Sequence, residues 1–237
     1  MRNLTLLVIL LVPSLGHSAE KRPNILWIVG ENFSNDLGCY GQPNVATPHL
    51  DKLAAEGIRY THAFATSPVC APSRSCFMLG MYQTTTDTHH MRSHRSDDFK
   101  LPPGIRPLTH RLKDAGYFTA NITHLGTEEM GTGKLDLNFV NEGELYDSHQ
   151  WDELKSHQPF FAQINLPEAE YDIYDRKSAD KPRVPWVGEE WHPQVATEEN
   201  VTPPPYYPDH PISRQEWARY LNSCLLYTSP SPRDIGE

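Results

Sequence analysis

Short apolar runs alternate with stretches of helical period along much of the chain. Residues 24–29, NILWIV, are continuously apolar behind Pro23, except for the opening asparagine. That pattern predicts a fully buried strand, as in a parallel sheet. The run stops at Gly30-Glu31-Asn32, which puts polar groups at the strand's carboxyl end, where open α/β sheets bind ligands. Residues 47–57 predict a helix, with Thr47 as cap, Pro48 at the first helical position and Gly57 as the stop. Its inner face is Leu50, Leu53 and Ala54. Residues 58–64 predict the next strand. A second helix is expected over 107–115, with Leu108 and Leu112 inward and Gly116 as terminator, then a strand over 117–123. Residues 160–166, FFAQINL, predict a further buried strand. Strands alternating with helices indicate an α/β fold with a largely parallel sheet.

The pattern breaks over residues 181–211, which hold eight prolines and no sustained periodicity, the mark of an extended surface segment. A helix resumes over 213–221, with Ser213 and Glu216 in capping-box register. Residues 224–237, CLLYTSPSPRDIGE, shift abruptly to a Ser-Pro repeat and are expected to be a non-native tail. At the other end Arg2 precedes an apolar run, LTLLVILLV, and the small-residue stretch LGHSA. This is the layout of an export signal over residues 1–19, far short of the roughly 20 apolar residues that span a bilayer. The expected product is exported, to a periplasmic, extracellular or lysosome-like compartment, and residues 22–222 are expected to be the incomplete N-terminal part of one domain.

A formal charge of −9 argues against general nucleic-acid binding, and an anionic substrate would need locally placed cations. The four cysteines, Cys39, Cys70, Cys76 and Cys224, match no zinc spacing. In an exported chain an even number suggests disulfides, but a chain of 237 residues is long enough to fold without them. Cys70 lies in SPVCAPSRS, residues 67–75. The general readings of its thiol are a disulfide half, a buried apolar filler, a metal ligand or a nucleophile. None of these accounts for the Pro72-Ser73-Arg74 that follows.

Cys70 to Arg74 has the form Cys-x-Pro-Ser-Arg, and here the chain resembles the type I sulfatases. The resemblance extends through TPHLDKLAAEGIRYTHAFA and GMY to PPPYYPDHPISRQEWARYL, or roughly residues 22–222. THHMRSH is similar to bacterial members related to heparan N-sulfatase. The resemblance implies a truncated alkaline-phosphatase-like fold and hydrolysis of a sulfuric ester or sulfamate on a sulfated carbohydrate. It also implies that a separate formylglycine-generating enzyme oxidises Cys70 to formylglycine. The hydrate of that aldehyde carries two hydroxyls, one to attack sulfur and one whose collapse to the aldehyde expels sulfate.

Other roles are implied by the same likeness. Arg74 would bind the aldehyde hydrate and neutralise developing charge, aided by a helix starting near Ala71. Glu31, Asn32 and the modified Cys70 would bind Ca2+. Lys134, in GTGKLDLNF, would contact the sulfate. His89, His90, Asp136 and Glu170 are further substrate-binding candidates. The chain also departs from the family. Asn32 replaces a carboxylate, Asp136 stands where many members have histidine, and Glu170 falls near the place of a histidine that serves the leaving group. The second calcium pair of complete members has no counterpart, so the fragment alone is expected to be inactive. Two alternatives stay open: a phosphate or phosphonate ester hydrolase of the same superfamily, and a degenerate sulfated-glycan-binding protein without turnover.

Overall fold

The computed structural model describes residues 22–32, 34–94, 97–122, 135–166 and 196–224. The expected signal segment, nearly all of the tail, Lys134 and Glu170 lie outside these residues. Three strands, β1 (Ile25–Gly30), β2 (Phe118–Ile122) and β3 (Phe160–Leu166), form one parallel sheet in the order β1-β3-β2. The chain reaches β2 from β1 through helices α1 (Pro48–Glu56), α2 (Cys70–Leu79) and α3 (Leu108–Asp114). Helix α4 (Pro211–Cys224) follows the proline-rich segment. Among the described residues no helix is long and apolar enough to cross a membrane.

The central strand explains the layering. Successive residues of a strand face opposite sides. Ala162 and Ile164 of β3 face one way and join Ala120, Ile122 and Leu154 in an apolar cluster, edged by Phe118, Trp151 and Phe160. Gln163 and Asn165 face α2 instead, on the side where Trp27 of β1 packs against Phe77 at 4.9 Å between ring centroids. A second cluster joins Met78 and Leu79 of α2 to Phe139, with Leu108 of α3 packed against it. A third ties Val45 to Ala196, Val201, Ala218, Leu221 and Cys224. This last cluster seats α4 on the segment between β1 and α1. The Tyr220 hydroxyl accepts from Ser34 N at 2.9 Å and donates to Asp36 Oδ2 at 2.7 Å, which fixes that segment from above 180 residues away in sequence.

Several sequence expectations are corrected. β1 is not fully buried: among the described residues it is an edge strand paired only with β3, and Leu26 and Ile28 are 46% and 52% exposed. Residues 58–64 form no strand, and Ile58 and Phe64 are exposed. A run of β-formers becomes a strand only where a neighbour takes its backbone groups, and among the described residues none does so there. α1 keeps its Pro48 start and Gly57 stop, but buries none of its residues, and Leu53 is 62% exposed. Thr47 does not cap it: its hydroxyl accepts from Gly38 N at 2.9 Å and donates to Asp51 Oδ1 at 2.6 Å. α4 starts at Pro211, so Ser213 lies inside it and Glu216 pairs with Arg219 at 2.7 Å instead of closing a capping box. His210 supplies the start, its Nδ1 accepting from Ile212 N at 3.2 Å. No disulfide links the four cysteines.

Candidate active site

β1 ends at Gly30, and the chain turns at once through Glu31 and Asn32. Asn32 has φ 54°, in the left-handed region that asparagine tolerates better than most residues. Cys70 is the first residue of α2, behind Val69 in extended conformation. This agrees with the expected helix start to within one residue. The Cys70 thiol is partly exposed and donates to Asn32 Oδ1 at 3.7 Å. The four free N–H groups and the dipole of a helix N-terminus favour negative charge beside Cys70.

Arg74 lies four residues on, over the same helix face, and runs inward. Its Nη2 donates to Glu31 Oε1 at 2.7 Å and its Nη1 to Asn165 Oδ1 at 3.4 Å. Both ends of the Arg74–Glu31 pair are almost wholly buried. The structure therefore brings Cys70, Arg74, Glu31 and Asn32 together, from segments about forty residues apart, at the carboxyl end of the sheet.

Other candidates stand differently. The rings of His89 and His90 pack together at 4.1 Å, and His89 Nδ1 lies 3.6 Å from Asp87 Oδ1. Their segment is pinned by buried Asn138, whose Nδ2 donates to Thr88 O at 2.8 Å and His90 O at 2.6 Å, while its backbone N–H donates to Ser75 Oγ of α2 at 2.9 Å. The histidines are thus anchored to the helix that carries Cys70. Asp136 is buried and lies 3.6 Å from Arg92 Nε. Asn121 begins an Asn-x-Thr sequon, yet it is fully buried inside β2 and closed to glycosylation in the folded chain.

The donors here suit Ca2+ in kind. Glu31 and Asn32 offer oxygen, which a hard cation takes in sets of six to eight. They fall short in number: Glu31 Oε1 already accepts from Arg74, and among the described residues no group of three or more His, Cys, Asp or Glu could hold a metal. Glu31 and Asn32 could supply only part of such a donor set.

The segment after His90 closes on His94. Its Nδ1 meets Asp97 Oδ2 at 2.8 Å, its Nε2 meets Asp87 O at 2.7 Å, and its ring stacks on Phe99 at 3.9 Å. The hydrogen bond to Asp97 raises the His94 pKa, and the same bond lowers that of Asp97. A raised histidine pKa gives stability that is present below the unfolded value and lost as pH rises through the folded one. A lowered aspartate pKa gives stability that is lost as pH falls through it. Protection factors of the amides of residues 87–94, with intrinsic base-catalysed exchange divided out, are therefore expected to be highest at mildly acidic pH and to fall on the alkaline side. Hydrogen exchange across pH checks this, and His94→Gln is expected to flatten the alkaline limb.

Sequence reasoning missed Asn165, Gln163, Asn121 and Tyr146, which lie behind Arg74. The available signal was the spacing in FFAQINL, where two amides sit two apart in an otherwise apolar strand.

Comparison with known proteins bears on this arrangement. Residues 23–181 match the Sulfatase family. The chain is 34% identical over 160 residues to an ulvan-active sulfatase of Formosa agariphila, covering 62% of this chain and 25% of that protein. It is 34% identical over 119 residues to an N-acetylgalactosamine-6-O-sulfatase of Bacteroides thetaiotaomicron, covering 49% and 23%. It thus spans about a quarter of the length of these curated relatives. Among solved structures it resembles a yidJ sulfatase from Bacteroides fragilis, with TM-score 0.50 at 18% identity over 90% of this chain and 58% of that one. A Bacteroides thetaiotaomicron structure from work on glycosaminoglycan metabolism gives TM-score 0.51 at 15% identity, over 88% and 56%. These likenesses show the fold, α/β of the alkaline-phosphatase-like kind.

Proposed function

The chain belongs to the sulfatase family, and from that premise we propose that the protein containing it hydrolyses sulfuric esters of a sulfated carbohydrate. The observation that carries this is the convergence of Cys70, at a helix N-terminus, with Arg74, Glu31 and Asn32. Relatives named for ulvan and for the 6-O-sulfate of N-acetylgalactosamine support a carbohydrate substrate. Within that class an N-sulfated glucosamine is the finer proposal, resting on THHMRSH alone.

Formylglycine made from Cys70 by a maturation enzyme would supply a nucleophile with its own release step, and Ca2+ would supply charge to hold and polarise sulfate. The remaining work falls to the chain. The N-terminus of α2 favours the sulfate's negative charge beside residue 70. Arg74 adds a cation whose position is held by Glu31 and Asn165. Glu31 and Asn32 would present the oxygen donors to calcium. Lys134 and Glu170 are proposed contacts to sulfate and leaving group. His89, His90 and Asp136 are proposed substrate contacts, the histidines held by Asn138. Export through residues 1–19 would bring the enzyme to extracellular or periplasmic glycans.

One observation favours a second reading, a glycan-binding protein without turnover: Asn32 supplies no charge, and Glu31 is already paired. Paired assays of the full-length, Cys70-converted protein on an aryl sulfate and an aryl phosphate separate the readings. Faster sulfate cleavage is expected. Faster phosphate cleavage would replace sulfate by phosphate, and binding of sulfated glycan without cleavage of either ester would support the second reading.

A further inference from the structure

The sheet face beneath α2 is polar where an α/β core is ordinarily apolar. Asn121, Gln163 and Asn165 are all buried there. A buried primary amide is costly unless hydrogen-bonded, and these amides share one directed chain. The Tyr146 hydroxyl donates to Gln163 Oε1 at 2.8 Å. Gln163 Nε2 donates to Asn165 Oδ1 at 3.1 Å, and Asn165 Nδ2 donates to Asn121 Oδ1 at 2.6 Å. The oxygen of Asn165 also accepts from Arg74 Nη1 at 3.4 Å.

Direction is the informative feature. A phenol can donate or accept, but an amide must place its oxygen on one side and its NH2 on the other. With the Tyr146 hydroxyl donating, Gln163 turns its oxygen to Tyr146 and its NH2 to Asn165. Asn165 must then aim an oxygen at Arg74. Were Gln163 reversed, Asn165 would reverse too and present NH2 to a guanidinium, donor against donor. Burial pushes the Tyr146 pKa up, so the hydroxyl keeps its proton at any working pH. Among the described residues Arg74 Nε is buried without a hydrogen-bond partner, and the contacts that hold the guanidinium come from its two terminal nitrogens.

We propose that Asn165 is a positioning residue for Arg74, and that Tyr146, acting through Gln163, sets the orientation of the Asn165 amide. The inference rests on the hydrolase reading above for its catalytic consequence, but not for its geometry. Two kinds of variant test it in the full-length, Cys70-converted protein on an aryl sulfate. Tyr146→Phe keeps the ring and removes only the donor. It is expected to lower kcat about tenfold with KM nearly unchanged, a fraction of the roughly 100-fold that ångström-scale misplacement can cost. Asn165→Leu is expected to lower kcat further, toward that 100-fold. It also strands its amide neighbours, so it is compared with Asn121→Leu/Gln163→Leu/Asn165→Leu, in which the three amides leave together, only the Tyr146 hydroxyl and Arg74 Nη1 lose an acceptor, and stability is expected to recover in large part. If the chain of amides positions Arg74, the triple variant regains stability without regaining kcat. Wild-type kcat in the stable triple variant, or in Tyr146→Phe, would overturn the proposal.

A readout without turnover separates its failure from that of the function. The Nε–H resonance of Arg74, in protein carrying 15N-arginine, is expected to shift in folded Tyr146→Phe. An unshifted resonance overturns the positioning role even in an inactive protein. A shifted resonance in a protein that cleaves no sulfate leaves the positioning standing and removes the sulfatase reading.

Discussion

Replacing Cys70 by alanine is expected to remove sulfate-ester hydrolysis by about 10⁴-fold or more, the scale on which loss of a nucleophile acts. Stability should barely change. The Cys70 side chain is partly exposed and its one polar contact among the described residues, to Asn32 at 3.7 Å, is weak. Cys70→Ser is the sharper experiment. A serine hydroxyl at the same helix N-terminus could take up sulfate, but it has no second hydroxyl whose collapse would release it. The serine variant is therefore expected to stop after about one equivalent of alcohol, and mass spectrometry should find sulfate on the residue 70 peptide. Sustained turnover by either variant would show that residue 70 is not the nucleophile.

Arg74→Met is expected to be the most destabilising single change at the site, costing about 3–5 kcal/mol. The reason is Glu31. It is buried against the guanidinium at 2.7 Å, and removing Arg74 takes that charge away from a carboxylate with little access to water. Adding Glu31→Leu should recover most of the loss, because two charges leave the interior together. Urea unfolding of the two variants checks this. Equal destabilisation in both would mean that methionine packs badly and the ion pair matters little. In either variant the cation beside residue 70 is gone, so stability and catalysis part company. The double variant is expected to be stable and inactive.

Much of this was legible in the chain itself. The PSR following Cys70 signalled the site, and Pro48 and Gly57 marked the ends of α1, because capping and backbone limits act within a few residues. The strands β1, β2 and β3 lie close to the expected positions for a similar reason: short runs rich in β-forming residues between helix and turn signals favour extended backbone locally. The misreadings share a cause. Residues 58–64 have strand composition, and α1 has an amphipathic stripe, but burial and pairing require partners far away in sequence. Composition states what a segment is able to bury and not whether anything arrives to cover it. The capping-box register at Ser213 failed because His210 and Pro211 already started α4.

By itself the sequence determined the α/β class, the family signature and the places of Cys70, Arg74, Glu31 and Asn32, since each follows from local pattern. Only the tertiary structure decided that Glu31 is bonded to Arg74, that α4 clamps the segment after β1, and that a chain of amides aims one oxygen at the guanidinium. The physical reason is that hydrogen-bond direction and ion pairing depend on distances of a few ångströms between segments as far apart in sequence as Tyr220 and Asp36. No periodicity along a single strand or helix records such distances.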